Sequence, residues 1–304
     1  MSLKDIKLKI KSVDRTRKVT KAMEAVSAVK MRKSQQRAIT GRPYANAAFS
    51  ILERLSVSLK TVRHSLTEKR EVKKVAVVVV TSDKGLCGVL NSAVLKSAQQ
   101  LVTGYNLPDE SVSIYAFGRK GAEYFDRRNY TILGKFENVS DEVSIADLAI
   151  VTADITRAFK AHEFDRVDVV YTNFKSTFEQ QALSHTILPL SLESISEIVD
   201  GITPEKGKFA ERAPVSAPAS YTVEPSSEVV VDALIPKLVS VLFFHALLES
   251  KASEHSARMV AMKNASDKSR DLSKSLNRTF NKARQALITR EVSEIVGGIE
   301  AMAS

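Results

Sequence analysis

The chain has 304 residues, 44% hydrophobic and 26% charged, a balance that excludes wholesale disorder and collagen-like sequence. Its longest apolar run, 75–80, falls far short of the ~20 residues that span a bilayer, so no transmembrane helix is predicted, and the charged N-terminus carries no signal-peptide core. A single cysteine, Cys87, excludes an internal disulfide framework, while a net charge of +10 asks for an acidic partner: nucleic acid, an anionic membrane face or an acidic protein surface.

Residues 3–59 read as one long helix. Leu3, Ile6, Ile10 and Val13 follow a 3-4-3 spacing and so share one stripe. Val19, Met23 and Val26 form a second stripe displaced by about one position, with Ala22, Ala25, Ser27 and Ala28 around it to let another helix approach closely. Gly41-Arg42-Pro43 predicts a kink or break. The segment is strongly basic: residues 1–73 hold 19 Lys/Arg against 6 Asp/Glu, whereas 74–225 hold 15 against 20. Charge alone does not choose among the acidic partners.

From 74 the period changes. The β-branched runs 75–81, 113–117 and 167–173 read as buried, parallel strands; 91–104, 121–128 and 144–160 read as helices; 186–190 reads as an edge strand. Strands alternating with helices predict a doubly wound, Rossmann-like α/β domain. Four of the eight prolines fall in 201–225, predicting an exposed linker. From 227 to the end runs a second helix of roughly 75 residues, about 110 Å long. Leu238, Val241, His245, Leu248, Ala252, His255, Met259 and Met262 alternate by 3 and 4; the register continues through Ser266, Ser269, Ser273, Leu276, Phe280, Ala283 and Leu287, then slips by one to Ile288, Val292, Ile295, Ile299 and Met302. Nine basic residues against two acidic ones lie in 258–290.

The expected organisation is therefore an N-terminal coiled-coil helix (1–73), an α/β domain (74–200), a proline-rich linker (201–226) and a C-terminal coiled-coil helix (227–304). Two helices attached to one domain by opposite ends must run antiparallel if they pair. The second is longer by about 20 residues, so its tip projects some 30 Å further. That tip, 292–302, is apolar on several sides and implies a sleeve or socket.

Chemistry is sparse. Ser82-Asp83-Lys84-Gly85-Leu86-Cys87-Gly88 sits between a strand and a helix, where α/β proteins place phosphate-binding turns, but it fits neither G-x-G-x-x-G nor G-x-x-x-x-G-K-[ST]. A structural or docking turn is the favoured reading. Cys87 reads as a small buried hydrophobe. His245 and His255 are ten residues apart, away from metal-ligand spacing, and read as polar seam or partner-facing positions. No catalytic, cofactor or metal constellation is predicted. The basic helical faces lack interleaved aromatics and any nucleic-acid motif.

Longer motifs carry a resemblance. Lys18-Val19-Thr20-Lys21-Ala22-Met23, Val29-Lys30-Met31-Arg32-Lys33-Ser34-Gln35, the 82–88 loop with Asn91, Tyr221-Thr222-Val223-Glu224-Pro225, the run 252–265 (ASEHSARMVAMKNA) and Asn281-Lys282-Ala283-Arg284-Gln285-Ala286-Leu287-Ile288-Thr289-Arg290-Glu291 resemble, in order along nearly the whole chain, the gamma subunit family of bacterial-type F-type rotary ATP synthases. The resemblance implies a non-catalytic central rotor stalk of a proton-translocating synthase, one copy per complex. It implies the alpha and beta subunits of the catalytic head, the epsilon subunit and the membrane c-ring as partners, with no nucleic acid, no cofactor and no direct membrane insertion. The implied location is peripheral, on the cytoplasmic side of the cell inner membrane.

By position the resemblance also implies torque and catch contacts at Met23, Lys30, Arg32, Arg284, Gln285, Thr289 and Glu291. It implies a bearing tip at Ile295, Val296, Ile299 and Met302, and membrane-ring contacts at Tyr221 and Glu224. Two rivals remain from the residues themselves. A basic coiled-coil nucleic-acid or membrane-surface binder would explain the charged ends and would show a steep salt dependence. An α/β enzyme with helical arms would need a small-molecule site. Neither explains the apolar tip.

Overall fold

The computed structural model describes residues 2–59, 64–191 and 227–303. In chain order these form α1 (Leu3–Leu59), β1 (Val75–Val80), α2 (Leu90–Gly104), β2 (Val112–Phe117), α3 (Arg119–Asp126), β3 (Thr131–Phe136), α4 (Ile145–Lys160), β4 (Arg166–Phe174), β5 (Gln180–Leu188) and α5 (Ser227–Ala303). They divide into two compact units, residues 28–258 and residues 1–27 with 259–304.

The larger unit is built on one five-stranded sheet in the order β3-β2-β1-β4-β5. The first four strands are parallel and β5 is antiparallel to β4. β1 lies at the centre, which is why its six residues are all apolar and all buried. Val75, Val77 and Val79 face α2 and α3, packing with Val94, Ala98, Val102 and Phe125. Ala76, Val78 and Val80 face the opposite layer, made by α4 and by residues 235–248 of α5. Both faces are covered, as the doubly wound reading requires. The turn from β2 into α3 crosses so close to β1 that a Cβ on Gly118 would lie 2.1 Å from the Thr81 carbonyl oxygen; with φ at +89°, only glycine fits. α4 opens on a capping box, Ser144 bonding the Asp147 amide and Asp147 the Ser144 amide.

Three expectations are corrected here. β3 is missing from the sequence reading because TILGKF alternates between exposed and half-buried positions at a sheet edge and lacks a continuous apolar run. The edge strand expected at 186–190 is longer and begins at Gln180; its first half is polar because one side faces solvent. α1 continues without a break through Gly41-Arg42-Pro43 to Leu59, since one proline removes a single backbone bond while neighbouring turns keep theirs.

α5 contains an apolar window with a mean hydropathy of 1.5, yet 67% of that window is buried within the protein.

The smaller unit is an antiparallel pair formed by 3–27 of α1 and 259–303 of α5. On α5, Met262, Ser266 and Ser273 are buried and Ser269, Leu276, Phe280 and Ala283 half-buried, following the predicted seam. On α1 the seam keeps its strict 3-4 alternation through Ile6, Ile10, Val13, Thr20 and Ser27, and in the larger unit through Met31 and Ser34. The displaced stripe is thus corrected: Val19 is 58% and Val26 55% exposed, and Met23 is half-buried. Small hydroxyl residues occupy the seam instead. Thr20 satisfies its hydroxyl on the Thr16 carbonyl at 3.0 Å, and Ser273 donates to Asp14 Oδ1 at 3.0 Å, so neither is left as a buried orphan.

Candidate functional site

Among the described residues, no cleft gathers those singled out; they lie on helix surfaces. On α1, Val19, Val26 and Val29 form an exposed apolar line beside Lys18, Lys33 and exposed Arg32. Met23 lies half-buried beside this line. An isolated helix gains nothing from a second apolar stripe, so this face suits a partner.

Lys30 is held by its own chain. Its ammonium lies 2.7 Å from Asp141 Oδ2, in the loop between β3 and α4, while its side chain stays 49% exposed. Asp141 Oδ1 accepts from His255 Nε2 at 2.9 Å. The His255 hydrogen bond first, and Lys30 after it, hold the Asp141 carboxyl well below the usual carboxylate range, although partial burial opposes them. Arg37 donates to the Asp141 carbonyl at 2.6 Å and pairs with Glu142 at 3.2 Å. Lys251 donates to the Val139 carbonyl at 2.9 Å. The sequence reading placed His255 at a polar seam position but missed Asp141, because a partner 111 residues away leaves no local signal.

The loop 82–88 is spent on its own structure. The Ser82 amide donates to Asn91 Oδ1 at 3.0 Å, and Asn91 Nδ2 reaches Ser82 Oγ at 2.7 Å and Cys87 Sγ at 3.3 Å. The Arg119 amide, first in α3, donates to Asp83 Oδ1 at 3.1 Å. A carboxylate of the chain therefore sits where a phosphate oxygen would bind a helix N-terminus. Lys84 and Gly85 turn their carbonyls toward Arg258 of α5, at 3.3 and 3.4 Å, and Arg258 is fixed by Glu254 at 2.7 Å. This is a docking turn, and Cys87 is buried within it.

The distal part of α5 differs. Every residue from Arg284 to Ile299 is exposed, including the expected contacts Arg284, Gln285, Thr289 and Glu291. Gln285 and Thr289 lie one turn apart, and the Thr289 hydroxyl donates to the Gln285 carbonyl at 3.0 Å. Leu287 and Ile288 on either side of the predicted slip are also exposed, and Ile295 and Ile299 reach 63% and 64%. Val296 follows them. Met302 lies in the helix, its side chain outside the described residues, as are Tyr221 and Glu224 altogether.

Comparison with known proteins gives one answer. The family model described as "ATP synthase" matches residues 2–302. A protein of Opitutus terrae called ATP synthase gamma chain is 39% identical over 303 residues, covering 100% of this chain and 99% of that one. A namesake from Heliobacterium modesticaldum is 36% identical, with 99% of each chain covered. Among solved structures, a chain from the central stalk and c-ring of the Tetrahymena thermophila mitochondrial ATP synthase superposes with a TM-score of 0.60 at 25% identity, over 82% of this chain and 99% of that one. A chain from the Euglena gracilis mitochondrial ATP synthase gives 0.62 at 20% identity, over 99% and 94%, and speaks for the fold alone.

Proposed function

This chain belongs to the ATP synthase gamma-chain family, and on that premise we propose how its surfaces serve a central stalk. It is a non-catalytic subunit of a membrane-associated ATP synthase, the rotor that turns within the alpha/beta head and couples it to the c-ring. The single observation that carries this reading is the bare end of α5. A helix that buries its seam as far as Ala283 and then exposes Ile288, Val292, Ile295, Val296 and Ile299 is supported only by a surrounding partner.

We propose that Ile295, Val296, Ile299 and Met302 form an apolar bearing, in which low friction follows from the absence of directional bonds. Arg284, Gln285, Thr289 and Glu291 form the polar catch with the head. Met23 and Lys30, on the apolar and basic face of α1, and Arg32, at its far border beside Val29, meet acidic elements of a catalytic subunit. Asp141 steadies Lys30 but leaves half of its side chain exposed for that encounter. Tyr221 and Glu224 meet the membrane ring, and the α/β domain of 74–200 binds the epsilon subunit. The stretch 201–226, expected as a linker to the C-terminal helix, lies outside the described residues. One copy works per complex, on the cytoplasmic face of the inner membrane.

Co-expression with alpha and beta subunits tests the reading. The expected result is one complex holding one copy of this chain and hydrolysing MgATP, with that activity lost on deleting 288–304. Elution of the chain alone, or with nucleic acid, overturns it.

A further inference from the structure

The two long helices are tied to the α/β domain in unequal ways. α5 contributes Ile235, Leu238, Val239, Leu242, Ala246 and Leu248 to the core of the sheet, so a twist on it is resisted by close packing. Ser250 and Ser253 add bonds to the end of β4, to the Thr172 amide at 3.1 Å and the Thr172 carbonyl at 3.3 Å. Among the described residues, α1 contributes no side chain to that core cluster. Its polar contacts with the domain include those of Lys30 and Arg37 with one loop, at Asp141 and Glu142.

Asp141 sits where these paths meet. One carboxylate oxygen takes Lys30 of α1 and the other takes His255 of α5, while the backbone carbonyl takes Arg37. His255 is 4% exposed and Asp141 is itself partly covered, so these charge-assisted bonds work under weaker solvent screening than a surface pair. Lys251 anchors the same loop one helical turn from His255.

We propose that Asp141 is a positioning residue for torque transfer, a clamp that ties residues 30–37 of α1 and 251–255 of α5 to the α/β domain within the larger unit. The inference rests on the central-stalk reading. When a load twists the helices, α5 is held by packing, whereas residues 30–37 of α1 are held to the domain through this loop. Small seam residues such as Ser34 pack closely yet resist sliding poorly. The bridge through Asp141 supplies that resistance, because shear must break two charge-assisted bonds at once.

The test uses the full membrane complex in vesicles, carrying Asp141→Ala, Asp141→Glu or Arg37→Met. Three readouts are taken: MgATP hydrolysis, ATP-driven proton pumping, and the torsional stiffness of single rotors. With Asp141→Ala, hydrolysis by assembled complex is retained, while pumping per ATP and torsional stiffness both fall several-fold. Asp141→Glu recovers most of both, and Arg37→Met gives a smaller loss in the same direction. Wild-type pumping per ATP and stiffness in assembled Asp141→Ala complex overturn the clamp. If that variant fails to assemble, wild-type values for Arg37→Met overturn it instead. Failure of the wild-type chain to enter the complex strikes the central-stalk reading, an outcome distinct from failure of the clamp.

Discussion

The two ends of α5 are both rich in apolar residues, but they live in different surroundings. Residues 235–248 lie against the sheet, with Ile235 and Val239 fully buried. Residues 284–299 carry Ile288, Val292, Ile295, Val296 and Ile299 into the open. One stretch completes a core in cis, and the other is an exposed surface for which we propose cover from other subunits. The same side chains therefore act through stability in one place and through assembly in the other.

The sharpest way to break this contrast is to interrupt the helix between its ends. Met262→Pro removes a backbone bond and costs ~3 kcal/mol or more in a helix interior. The expected outcome is loss of ATP-driven proton pumping by the reconstituted complex, and wild-type pumping would mean that torque bypasses this helix. Next in size is a matched pair. Leu248→Ala at the buried end should lower the stability of the isolated chain by about 2–5 kcal/mol in a urea titration. Ile295→Ala at the exposed end should change it by no more than about 0.5 kcal/mol, while weakening assembly with the head. Equal costs at both sites would remove the distinction.

Arg284→Ala combined with Gln285→Ala sharpens the exposed side further. The chain's own stability should be unchanged, and ATP synthesis in vesicles should drop; unchanged synthesis rejects the catch assignment. The smallest effect concerns acid. The Asp141 carboxyl is held below its unfolded value in the folded chain, so its contribution is present above about pH 4 and is lost as pH falls below that. Asp141→Asn should start less stable at neutral pH and lose less on acidification, read as urea midpoints over a pH series. Parallel curves for variant and wild type would show that the bridge is not formed.

Periodicity made much of this legible. The α5 seam from Leu238 to Ala283 is buried or half-buried along its predicted line, because a 3-4 alternation marks one face wherever the helix goes. The same rule misled on α1, where Val19 and Val26 suggested a seam that Thr20 and Ser27 occupy. Hydrophobicity there marks a face left exposed on the chain, and a pattern cannot say whose apolar surface will cover it. β3 was silent because edge strands need little apolar sequence. The Asp141 bridge was silent because its partners come together only after folding.

The sequence by itself determined the two long helices, the central β-branched strand, the seam and the projecting apolar end, since each follows from local spacing and composition. The tertiary structure alone decided the order β3-β2-β1-β4-β5, the capture of 235–248 by the sheet and the joining of Lys30, Asp141 and His255. Those depend on which distant surfaces meet, and chain entropy hides such meetings from any reading of neighbouring residues.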